Sequence, residues 1–172
     1  MSRPNNKNYN AFFERYITMV RGVSLNEIIQ NHNTTILNYW STIPSDKYNF
    51  SYSPNKWTIK QLFQHVIDTE RILSYRILCI ARGEKQSLNE FNENEYANFG
   101  NANQRDFKIM IKEWEFLRTS NNIMFKSFSE NELNQVGLVG LNKTSLKAII
   151  YIIFGHALHH IKVIEEKYII KK

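Results

Sequence analysis

Apolar residues recur at intervals of three and four toward the end of the chain. Ile150, Ile153, Ala157 and Ile164 fall on one stripe, with His160 inside it and His156 on its flank. That periodicity predicts a helix over residues 145–168. The same reading gives long helices over 25–41, 59–82 and 104–128, and a short leading helix over 10–20. Ser24-x-x-Glu27 and Thr58-x-x-Gln61, each followed by an apolar pair, match the capping box that starts a helix, and Asn103 with Asp106 is a looser version. Pro4, Pro44 and Pro54 all lie in the first third, so nothing after residue 55 breaks a helix outright. The connection over 83–101 is long and polar, with Phe91-Asn92-Glu93-Asn94-Glu95-Tyr96 at its centre, and its length suits a crossover. Four helices joined with one crossover need not alternate in direction. The expected fold is an all-α four-helix bundle with a long connection between its second and third helices.

Composition narrows this further. At 172 residues, 42% hydrophobic and 22% charged, the chain is expected to form a single domain over 1–172 with a substantial core. The single cysteine, Cys79, allows no internal disulfide, and a reducing cytoplasm fits. The N-terminus lacks the apolar segment of a signal peptide, and the longest apolar run, 148–158, is too short to span a bilayer; no membrane association is expected. The net charge of +6 is spread along the chain, with no basic block beyond Lys171-Lys172. Nucleic acid is therefore not the expected partner.

Histidine is where chemistry concentrates. Three of the five histidines lie between residues 156 and 160. On a helix His156 and His160 point about 40° apart, so both rings can reach one ion. A third donor is needed, and His65, beside the apolar face marked by Leu62 and Val66, supplies it from the second helix. Three neutral imidazoles leave a divalent ion its full charge and an open coordination position, the pattern of catalytic zinc. An isolated His-x-x-x-His pair is as readily explained by buried rings bonded to hydroxyls or backbone. The third inward histidine shifts that balance. So does Gly155, which costs a helix about 1 kcal/mol relative to alanine and implies close approach of a helix or ligand.

Other residues have weaker claims. His159 points about 100° from His160 and is expected to contact a neighbouring helix or to support the ligands from outside. His32, between Asn31 and Asn33, reads as a surface residue. Asp68, one turn after His65, could accept the ring N–H that does not face the metal, or could pair with Arg71 or Arg76. Glu70 reads as a structural salt-bridge residue. Glu93, Glu95 and Tyr96 read as a solvated loop, with a lid over the metal mouth as the sharper alternative. Phosphate-binding glycine loops, nucleophile elbows, His-Glu-x-x-His helices and the Glu-x-x-His pairs of di-iron bundles are all missing.

Several segments together resemble the DinB/YfiT-like superfamily of metal-dependent enzymes. They are Tyr16-Ile17-Thr18-Met19-Val20, Tyr52-Ser53-Pro54-Asn55-Lys56-Trp57-Thr58-Ile59-Lys60, His65-x-x-Asp68-Thr69-Glu70-Arg71, Ala81-Arg82-Gly83, Phe91-x-Glu93-Asn94-Glu95-Tyr96 and Gly155-His156-x-x-His159-His160. The resemblance spans the whole chain. It implies an up-down-down-up bundle, zinc or nickel on His65, His156 and His160, and a homodimer. It also implies a small-molecule substrate, because members of the family include transferases and an isomerase that use low-molecular-weight thiols. The expected activity is metal-dependent transfer of such a thiol to a small electrophile. A metal-dependent hydrolase and a non-catalytic metal-binding stress-response protein are the alternatives.

Overall fold

The computed structural model describes residues 2–169. Four long helices carry the fold: α2 (Leu25–Ser41), α3 (Ile59–Ala81), α5 (Phe107–Lys126) and α7 (Leu146–Lys167). Three short helices join them: α1 (Glu14–Ile17), α4 (Glu93–Phe99) and α6 (Glu130–Leu133). In the bundle α3 packs on α7 and α5, and α2 also packs on α7 and α5, so each long helix has two long neighbours. The expected all-α bundle with a long connection between the second and third long helices is what forms.

Local sequence sets the helix starts. Thr58 and Gln61 form a reciprocal capping box at α3, with Gln61 N donating to Thr58 Oγ1 (3.1 Å) and Thr58 N donating to Gln61 Oε1 (2.9 Å). Ser24 caps α2 through Glu27 N, but the Glu27 carboxylate reaches past the cap to Val23 N (3.0 Å). The third long helix starts later than expected. Asp106 is its N-cap and accepts from Lys108 N and Ile109 N, while Asn103 sits in a 3-10 turn and accepts the Thr58 hydroxyl hydrogen (2.6 Å).

Three expectations need correction. A β-hairpin, β1 (Val136–Val139) with β2 (Asn142–Ser145), stands before the fourth long helix, where the sequence pattern assigns no element. It turns at Gly140, whose φ of +56° suits glycine, and Leu88 from the long connection pairs beside Val139. The leading helix is shorter than expected, a 3-10 turn at Ala11–Phe13 followed by α1. Finally, His32 is buried: its Nε2 accepts from Arg21 N at 2.8 Å, which turns the ring into the core despite flanking asparagines.

Helix α7 is buried all round from Leu146 to Ala157 and forms the centre of the core. By length and composition it could cross a membrane, more than the 148–158 run suggested, yet 67% of its most apolar window is buried inside the bundle. Across the core, Glu70 on α3 accepts from Arg118 Nε and Nη2 (2.7 Å each), Trp114 Nε1 (2.9 Å) and Asn121 Nδ2 (3.0 Å) on α5. Glu70 is 3% exposed and Arg118 1%, so this pair locks the angular setting of the helix that carries His65.

Candidate metal centre

His65 leaves α3 one turn above Glu70's network, while His156 and His160 leave α7 one turn apart. Their rings meet between the two helices. His156 Nε2 lies 2.9 Å from His65 Nε2 and 3.0 Å from His160 Nε2, and the candidate ligand atoms of all three lie within 4.8 Å of one another. Nitrogens bound to one tetrahedral zinc stand about 3.3 Å apart, a spacing that falls between the shortest and the longest separations in this cluster.

The donor set fits a cation. A neutral imidazole nitrogen offers either one hydrogen or one lone pair, so His156 Nε2 cannot satisfy both neighbours at once. An ion drawing a lone pair from each ring satisfies all three. Burial also selects the ligating form. It pushes His65 down to about 4 and holds His156 and His160 well below the usual histidine range, with His65 and His159 lowering both of the latter further, so all three are neutral at pH 7.

Neighbours fix the rings in place. His65 stacks at a tilt on Trp57 (4.9 Å between centroids), and its Nδ1 faces Thr69 Oγ1 at 3.4 Å. Tyr16 sets its ring edge-on to His156 (5.5 Å) and His159 (5.2 Å). Gly155 explains how Tyr16 gets there. A Cβ at 155 would lie 2.0 Å from the Tyr16 carbonyl oxygen, so glycine lets the α1 backbone cross α7 directly beside the histidines.

A cavity of about 280 Å³ opens from His65 and His156. Its walls are largely apolar, from Phe12, Phe13, Leu73, Phe91, Ile149 and Ile152. Its polar groups include Thr69, Arg76, Glu90, Glu93, Asn142 and Thr144. Residues expected from sequence separate here. Glu93 reaches this cavity; Glu95 and Tyr96 do not, and instead line a different surface depression with Asp68 and Arg71. Asp68 is also away from the histidine rings, because its Oδ1 accepts from Gln64 Nε2 (2.9 Å) and Thr69 occupies the place beside His65 Nδ1. His159 is half-buried against Tyr16 and His160, on the flank of the cluster.

Sequence reasoning did not assign Arg76 or Thr69 to this site, nor Phe12, Phe13 and the hairpin. Thr69 and Arg76 were legible in principle: they lie four and eleven residues after His65, both close to its face of α3. The hairpin and the N-terminal aromatics reach the cavity only through tertiary packing.

Known proteins resemble this chain in sequence profile and in fold. The sequence profile of the DinB superfamily matches residues 29–164. YfiT from Bacillus subtilis, a probable metal-dependent hydrolase with an unusual four-helix bundle topology, superposes with a TM-score of 0.72 at 13% identity. The match covers 95% of this chain and 89% of that one. A mycothiol-dependent maleylpyruvate isomerase superposes with a TM-score of 0.62 at 13% identity, over 87% of this chain and 59% of its own. A DinB-like protein from Bacillus subtilis gives 0.51 at 14% identity, over 90% and 89%. None of the curated protein sequences compared with the chain matches it.

Proposed function

The chain belongs to the DinB superfamily, and from that premise we propose that it is a metal-dependent enzyme, a hydrolase of small molecules, with His65, His156 and His160 as ligands to one divalent ion. The convergence of three neutral imidazoles, two buried and one half-buried, on one point beside a cavity carries the reading. Zinc or nickel suits three nitrogen donors. When bound, such an ion supplies a Lewis acid and lowers the pKa of a coordinated water toward neutrality. The protein's own groups hold the ligand rings neutral, exclude bulk water with aromatic walls, and place carboxylates within the cavity. Glu93 is our candidate proton acceptor, because it lines the same cavity as His156 and its charge is felt by Tyr16. Hydrolysis is placed first because YfiT, which matches nearly the whole chain, is a probable metal-dependent hydrolase.

Transfer of a low-molecular-weight thiol, the activity expected from the sequence, is the second reading. The fold match to a mycothiol-dependent isomerase supports it. We further propose a homodimer in the cytoplasm. On α5, Ile109, Phe116 and Ile123 are 54%, 72% and 69% exposed and seven residues apart, an apolar stripe suited to a second copy. A lone, unpaired Cys79 suits a reducing compartment.

The test begins with metal analysis of untagged protein. One ion per chain is expected, falling sharply in His65→Ala and His160→Ala; full stoichiometry in both variants sinks the assignment. Loaded protein is then offered ester and amide panels, and separately small thiols with a generic electrophile. Cleavage that depends on the three histidines supports hydrolysis, and conjugation with the same dependence supports thiol transfer. Neither activity would leave a non-catalytic metal-binding protein.

A further inference from the structure

Arg76 is a buried cation whose charge is left unpaired among the described residues. It is 7% exposed, and no carboxylate lies within 4 Å of it among the described residues. Its one hydrogen bond there runs from Nη2 to the Asn89 carbonyl (2.5 Å), and Nε has no partner. A guanidinium carries five donors, and burying it with most of them unused is costly unless something completes the set. The Phe91 ring lies beside the group, 5.8 Å from the guanidinium carbon to its centroid.

Position gives this a meaning. Arg76 lines the same cavity as His65 and His156. Eleven residues bring an α-helix back to within about 20° of the same direction after a rise of about 16 Å. Arg76 and His65 therefore stand on one face of α3, at separate points along one cavity, with Leu73 between them. Among the described residues the counter-charge it feels is that of Glu90, which is exposed and too far for an ion pair.

We propose that Arg76 is the anion-recognition residue of this cavity and that its ligand is an elongated small molecule with a carboxylate at one end, seated on the guanidinium, and its reacting group toward the histidines. The planar fork of arginine matches a carboxylate in two parallel hydrogen bonds. A carboxylate rather than a phosphate is favoured because one guanidinium supplies one positive charge, while Glu90 and Glu93 line the same cavity and repel a dianion. Apolar walls suit the chain that links the two ends. This assignment rests on the proposed function only for the identity of the reacting end.

Calorimetric titration of the full chain, metal-free and zinc-loaded, with mercaptohexanoate and mercaptooctanoate against the mercapto-alcohols of equal length tests it. The acids should bind about tenfold or more tightly than the alcohols, with or without zinc, as a charge-assisted pair requires. Arg76→Gln should abolish that preference, and Arg76→Lys, which keeps the charge but not the fork, should reduce it. Equal binding of acid and alcohol by the wild type overturns the proposal without any variant. So does an undiminished preference in either folded variant. If zinc strengthens neither ligand while the acid preference stands, the placement of the reacting end at the histidines is overturned and the role of Arg76 survives.

Discussion

Without a metal this protein should be acid-sensitive, and the size of the effect follows from His65. In the unfolded chain its pKa is near 6.5; burial in the folded protein pushes it down to about 4. Well above pH 6.5, at pH 7.5 and beyond, the ring is neutral in both states and contributes almost no pH dependence. As pH falls below 6.5 the unfolded chain takes up a proton that the folded protein refuses, so stability is lost progressively until the folded pKa is reached. Integrated from pH 7.5 to 5, the loss is about 2 kcal/mol from this ring alone. His156 and His160 act in the same direction, because burial and their neighbours lower both. Against a total stability of about 5–15 kcal/mol the effect is large. Urea unfolding of chelator-treated protein at pH 7.5, 6.5, 5.5 and 5 measures it. The control is His65→Phe, which keeps an aromatic ring against Trp57 and cannot titrate. The reasoning is refuted if the metal-free variant loses stability with the same slope as the wild type over that range.

Other expectations are as direct. Glu70→Ala leaves Arg118 charged and buried, and should cost about 3–5 kcal/mol in denaturant unfolding, whereas the double change Glu70→Leu, Arg118→Met should recover most of it; a single variant within about 1 kcal/mol of wild type would contradict the buried-pair account. Gly155→Ala, mild on most helices, should here destabilise by about 1–3 kcal/mol or more, because its Cβ would lie 2.0 Å from Tyr16 O; an unchanged or raised melting temperature would mean that α1 does not cross α7 as described.

Periodicity alone determined the four long helices, because each buries one stripe or is apolar all round, and that pattern is written in consecutive residues. The Thr58–Gln61 cap is equally local, and α3 begins where it was expected. Spacing also paired His156 with His160, since a helix converts four residues into one turn whatever surrounds it. The hairpin of 136–145 was not legible: Val-Gly-Leu-Val is too short to set a period, and its strands are held by each other, by Leu88 and by Ile80 against Gly137. His32 misled for the same reason, since its polar flanks say nothing of the Arg21 backbone that draws it inward. That His65 reaches the other two rings, that Thr69 and not Asp68 stands beside it, and that Arg76 shares its cavity were decided by the docking of α3 on α7. Side-chain burial and hydrogen-bond partners across helices depend on distances between residues 91 positions apart in the chain, as for His65 and His156. No local pattern encodes such a distance; the packed core sets it.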